Sequence, residues 1–270
     1  MRSVLLVISL LAMMMGGKTA VLAADFQKGY AAYQSGDYAT ALREWTPLAE
    51  QGNARAQFNM GVMYEKGRGV PQDYKTAVKW YRLAAEQGMA IAQYNLGVMY
   101  DEGRGVPQDY KTAVKWLRLA AEQGIAIAQN NLGVMYQKGQ GVPQDYKTAL
   151  KWFSLAAEQG YVRSQYNLGV MYDEGRSVPQ DYKTAVKWWR LAAEQGNTRA
   201  QNNLGVMYAF GKGLLKDYVY AHMWGNIAAM NRSKLGANLR DFVEKKITPA
   251  QIATAQKLAR ECVAKNYQGC

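Results

Sequence analysis

The chain has one histidine and two cysteines in 270 residues, and little in it could carry out chemistry. His222 lies in an amphipathic stretch with no Cys or carboxylate at metal-ligand spacing. It reads as a packed or surface side chain, because catalysis needs convergent titratable groups or an activated nucleophile. Cys262 and Cys270 both fall at the C-terminus. No stretch shows the alternation of a strand, so Gly67 and Gly69 do not form a strand-borne phosphate loop and read as turn residues. Carboxylates recur only as turn-proximal and capping residues. The apolar run Val4 to Met15, closed off by Lys18, is short for a membrane span. No cofactor or metal site is expected.

What is present is a repeat. Gly-Val-Met-Tyr begins at Gly61 and returns at Gly97, Gly133, Gly169 and Gly205, each step being 36 residues. Trp80, Trp116, Trp152, Trp188 and Trp224 keep the same register. A fixed period of this size marks stacked units, none of which buries its apolar face alone. In the first full unit Ala56, Met60 and Tyr64 form a helical stripe. Gly61 inside it costs ~1 kcal/mol relative to Ala, which points to a helix approaching closely there. Gly67, Gly69 and Pro71 break the chain, Asp73 can cap the next helix, and Tyr74, Ala77, Trp80/Tyr81 and Ala84 follow at helical spacing. Gly88 then fits a helix end. Each unit is a helix-turn-helix hairpin, and the fold class is all-α, an α/α superhelical solenoid. Each of Trp80, Trp116, Trp152 and Trp188 is expected between helices.

The pattern A-x-x-x-[LM]-G-x-M-Y-x-x-G-x-G-V-P-Q-D-Y-x-x-A-x-x-W…A-A-E-Q-G resembles the Sel1-like repeat family, related to tetratricopeptide repeats, over about Phe26 to Arg232. The resemblance implies a solenoid that mediates protein–protein contacts, often as an adaptor, and names no partner. Cysteine-rich relatives are associated with β-lactam binding or hydrolysis. They carry a cysteine pair in each repeat; no repeat here has one, so that activity does not carry over.

Residues 1–24 read as a signal peptide, with Arg2 ahead of the apolar run and a cleavage point near Ala23 or Ala24. Residues 25–52 read as a shortened N-terminal capping repeat. Five units follow at 53–88, 89–124, 125–160, 161–196 and 197–232, and 233–270 reads as capping helices. Ser233 can cap one helix carrying Leu235, Leu239, Phe242 and Val243. Thr248-Pro249-Ala250-Gln251 starts another, carrying Ile252, Ala255, Leu258 and Cys262. An oxidising compartment favours a Cys262–Cys270 disulfide, and the expected location is periplasmic or secreted.

The formal charge is +12, and the excess is uneven. From Ser233 onward seven Lys/Arg face three Asp/Glu, while Asp25 to Gly52 has two against four. Nucleic acid is not the expected partner of an exported chain; acidic envelope polymers and acidic proteins are. Lys75/Lys79/Arg82, Lys111/Lys115/Arg118 and Lys183/Lys187/Arg190 form stripes on second helices, read as a solvated convex face.

In tetratricopeptide-type solenoids the first helix of each hairpin lines the concave face. Counted from the leucine-glycine pair, the inward residues are Arg55, Phe58, Asn59, Val62, Glu65 and Lys66, then Ile91, Tyr94, Asn95, Val98 and Asp101, then Ile127, Asn130, Asn131, Val134 and Gln137. Arg163, Tyr166, Asn167, Val170 and Asp173 continue the series, followed by Arg199, Asn202, Asn203 and Val206. One column is constant: Asn59, Asn95, Asn131, Asn167, Asn203. An amide there can hold an extended backbone without reading its sequence, or can bond within or between repeats. The column before it varies, as Phe58, Tyr94, Asn130, Tyr166 and Asn202, and its aromatics are candidate anchors for a partner. The expected function is a non-catalytic envelope scaffold binding a protein or peptide in this groove. The alternative is a protein that binds peptidoglycan or an acidic polysaccharide, or an envelope hydrolase.

Overall fold

The computed structural model describes residues 24–270, so the expected signal peptide lies outside the described residues apart from its last position. Among the described residues there are fourteen α-helices and no strand, paired as hairpins in an α/α solenoid. They form two compact units, one up to Gln87 and one from Gly88 to Cys270.

The first unit holds α1 (Phe26–Ser35), α2 (Tyr38–Glu50), α3 (Ala54–Lys66) and α4 (Tyr74–Glu86). The second holds α5 (Ala90–Glu102), α6 (Tyr110–Glu122), α7 (Ala126–Lys138), α8 (Tyr146–Glu158) and α9 (Val162–Glu174). It continues with α10 (Tyr182–Glu194), α11 (Thr198–Phe210), α12 (Tyr218–Met230), α13 (Lys234–Glu244) and α14 (Pro249–Ala264).

The boundaries follow from capping chemistry. Asp109, Asp145 and Asp181 each accept from two backbone N–H groups at the start of a second helix. Their second carboxylate oxygen takes a hydroxyl at 2.6 Å from Thr112, Thr148 and Thr184 respectively. Three donors on one carboxylate hold each of these Asp residues below the ordinary carboxylate range, the threonine hydroxyl contributing most. First helices end at a glycine in the left-handed region, as at Gly67 and Gly139 with φ of 65° and 69°.

The glycine of each Gly-Val-Met-Tyr run is a socket. A Cβ added to Gly61 would sit 2.5 Å from the Tyr81 ring, and one on Gly97 or Gly133 would sit 2.7 Å from Leu117 or Phe153. The close helix approach inferred at Gly61 is therefore real, but the residue that makes it is not the recurrent tryptophan. Trp80, Trp116, Trp152 and Trp188 are half-buried. Trp80 and Trp152 each pack against the cluster of the preceding hairpin. The fully buried anchor is the next residue along, Tyr81, Leu117, Phe153 or Trp189. A glycine floor leaves room for any large apolar shape, which is why this position varies while its neighbour does not.

Buried glutamines tie successive hairpins together. Gln129 donates to the Ala121 carbonyl of the helix before it at 3.0 Å and accepts from Gln159 of the helix after it at 2.8 Å. Gln165 and Gln201 repeat the arrangement toward Ala157 and Ala193, and Asn231 replaces the last outer glutamine. In the first unit Gln57 bonds Ala49 and Gln87 in the same way.

The last repeat differs. Gly225 stands where the earlier repeats carry Trp189 or its equivalents, and Leu239 of α13 reaches the Gly205 socket instead, 2.6 Å from where a Cβ would be. His222 on α12 is fully buried, with Nε2 2.9 Å from Glu244 on α13. Leu239 and Val243 face inward as expected, but Leu235 and Phe242 are exposed, Phe242 stacking on Phe210 at 6.2 Å between ring centroids. Thr248 and Gln251 form a full capping box for α14. A disulfide joins Cys262 and Cys270, and the tail beyond α14 turns back so that Gln268 donates to the Glu194 carbonyl at 2.8 Å.

Candidate functional site

In the second unit the first-helix residues open onto a cavity of about 730 Å³. Asn130, Asn131 and Val134 of α7 line it together with Tyr166 and Asn167 of α9. Arg163 and Arg199 stand on it near the N-terminal ends of α9 and α11, and Asp101 and Lys138 near the C-terminal ends of α5 and α7. Of the candidates on this face, the cavity thus brings together Asn130, Asn131, Tyr166 and Asn167. Tyr94 stands beside it, with its hydroxyl within electrostatic reach of Arg163. Asn95, Asn202 and Asn203 are not among its lining residues. In the first unit Arg55 is exposed, Asn59 is half-buried, and Phe58 lies against the Tyr81 ring at 5.8 Å.

The two asparagine columns do different work. Asn130 and Asn202 interrupt the aromatic column and are buried. Asn130 Oδ1 accepts from Ser164 Oγ at 3.0 Å and from Asn167 Nδ2 at 3.2 Å, while its own Nδ2 donates to Asn131 Oδ1 at 3.3 Å. Asn202 donates to Ser233 at 2.8 Å. Where the column is aromatic, the tyrosine hydroxyl faces the asparagine of the next repeat, Tyr94 toward Asn131 and Tyr166 toward Asn203. Asn131 keeps at least one N–H and Asn167 its carbonyl outside these contacts, so both retain hydrogen-bonding capacity toward the cavity.

Burial raises the pKa of the Tyr94 and Tyr166 hydroxyls, so both stay protonated at neutral pH. It likewise raises Asp101, which Lys138 on the next repeat pulls partly back. Asp173 is raised by burial and opposed by Lys212 in the same way. The carboxylates on this rim therefore have a lysine of the following repeat for company. Sequence reasoning named Lys66, the counterpart of Lys138 in the first repeat, but stopped at Gln137 in the third and so did not reach Lys138 or Gln140. Their signal was available in the single-repeat departure at Gln140, where the other repeats carry Arg68, Arg104, Arg176 and Lys212.

The model of the Sel1 repeat matches five times in tandem, at residues 54–89, 90–125, 126–161, 162–197 and 198–233. The chain belongs to the Sel1 repeat family. A Sel1 repeat protein from Oxalobacter formigenes is similar at 34% identity with a TM-score of 0.78, covering 88% of this chain and 99% of that one. The crystal structure of c5321, a protective antigen of uropathogenic Escherichia coli with the same repeat fold, is similar at 35% identity with a TM-score of 0.80. That match covers 90% of this chain and 53% of the antigen, so the chain spans about half of the antigen's length. No curated protein matches the chain. Sel1 repeats are in general protein–protein interaction scaffolds, and no helix among the described residues is long and apolar enough to cross a membrane.

Proposed function

We propose that this Sel1 repeat chain is a non-catalytic scaffold of the cell envelope whose first-helix face holds an extended segment of a partner protein. The observation that carries the reading is the cavity itself. It is concave, of ligand size, and floored by amides that can pair with a peptide backbone. Tyr166 supplies a rigid, half-buried ring at its wall. The terminal disulfide and the signal-like N-terminal sequence support an extracytoplasmic location.

The test is capture of the native partner from envelope extract by the mature protein. Changing Tyr94 and Tyr166 together to Ala should leave helicity nearly unchanged and weaken capture at least tenfold, about 1.4 kcal/mol. Reversing Lys111 and Lys115 to Glu should do little. If the charge reversal abolishes capture and the tyrosine change does not, the first-helix face is not the working surface.

A second reading has its own support. A recess of about 420 Å³ on the second-helix side is lined by Lys183, Lys187 and Arg190 around Val186 and Leu191. It suits an acidic envelope polymer such as a polysaccharide. Binding there would collapse as salt rises through the range that screens exposed charges, whereas groove binding anchored by aromatics would largely persist.

A further inference from the structure

The repeats are so alike that their differences are informative, and several converge on one place. Asn130 stands where repeats one, two and four carry Phe58, Tyr94 and Tyr166. Ser164 stands where every other repeat carries alanine, and its hydroxyl bonds Asn130. Gln140 replaces the basic residue of the other four repeats. Arg163 and Arg199 follow Ile91 and Ile127 in their column. Asn130, Gln140, Arg163 and Arg199 all line the cavity. A tyrosine at position 130 would occupy the space that the short, tied-down asparagine leaves open.

The charges there are not balanced. Asp101 has Lys138 beside it. Arg163 and Arg199, one repeat apart in the same column, form no ion pair among the described residues. Two guanidinium groups at the edge of a polar cavity, with amide side chains on its floor, make an anion-reading arrangement, because a guanidinium matches the two oxygens of a carboxylate.

We infer that this cavity selects an extended peptide that presents a carboxylate to Arg163 and Arg199, with Asn131 and Asn167 holding its backbone. The inference rests on the groove reading above and adds the ligand's chemistry to it. The carboxylate comes from an acidic side chain or from a chain terminus. An eight-residue strand covers ~26 Å, enough to cross several helices.

The test uses three fluorescein-labelled octapeptides at 150 mM NaCl, read by anisotropy and by ¹⁵N shifts of the arginine and asparagine side chains. One alternates Ser and Asp with an amidated end, one alternates Ser and Asn with an amidated end, and one is the Ser/Asn peptide with a free carboxyl terminus. We expect the Asp peptide, the free-carboxyl peptide, or both to bind at least tenfold tighter than the neutral one, which identifies the source of the carboxylate. R163Q/R199Q should abolish that preference, and K183Q/K187Q should keep it. Equal binding of all three peptides overturns the inference, and so does a preference that survives R163Q/R199Q. If partner capture is lost with the tyrosine change yet retained by R163Q/R199Q, the groove reading stands and the carboxylate reading falls.

Discussion

Adding one methyl group at Gly133 sets two known effects against each other. Alanine is the better helix former by ~1 kcal/mol, so at an open position the change would stabilise the protein. Here the new Cβ would lie 2.7 Å from both Cδ1 and Cε1 of Phe153 and 3.2 Å from Cζ. Phe153 is 0% exposed, so the ring has nowhere to go and the helices must part. Overpacking of this kind costs ~1–3 kcal/mol, and the net should be a loss of up to ~2 kcal/mol. A double-mutant cycle separates the terms. Phe153→Ala alone should cost ~3–5 kcal/mol. Adding Gly133→Ala in that background should restore ~1 kcal/mol, because the clash is gone and the helix preference remains. Urea midpoints at unchanged m would read the cycle. If Gly133→Ala stabilises the wild type and the Phe153→Ala variant equally, the glycine is not a socket and the packing account is wrong.

Two further outcomes follow from the caps and the tail. Because Asp109, Asp145 and Asp181 have depressed pKa values, the stability they contribute is present above the ordinary Asp range and is lost as pH falls through the lowered folded values. Thr112→Val, Thr148→Val and Thr184→Val combined should therefore move acid unfolding, followed by circular dichroism, to higher pH; an unmoved midpoint would refute the role given to the hydroxyls. Alkylation should find no free thiol at Cys262 or Cys270, and reduction should raise hydrogen exchange in residues 262–270 while leaving α5 to α11 protected, since the loop entropy at stake is only ~2–3 kcal/mol. Two labelled thiols before reduction would remove the bridge.

The period, the hairpins and the caps were legible because each leaves a sequence mark that repeats. What was misread sat one residue away. Trp80 and Tyr81 are ~100° apart on a helix, and constancy drew attention to the tryptophan while the glycine socket tolerates variety at the next position. Grouping Asn130 and Asn202 with the aromatics hid their inter-repeat bonds, although Ser164 and Ser233 were visible partners. Exposure of Leu235 and Phe242 was not readable from periodicity, because α13 rolls into the space left by Gly225. The cavity depends on a small residue in one repeat and charged residues in the next two, and no single repeat contains it.

Gly225 has a consequence for how such a chain can grow. The array is closed by withholding a side chain, so that α13 supplies the missing bulk through Leu239. The stop signal is thus confined to residues from about Tyr218 onward, and the earlier repeat-to-repeat joints of the second unit use the same glutamine and glycine parts. A duplicated segment of 36 residues, inserted in frame before Asn197, would find matching joints on both sides and leave the terminator untouched. Length can therefore change by whole units, while a substitution at position 225 alone would disturb the packing of α13.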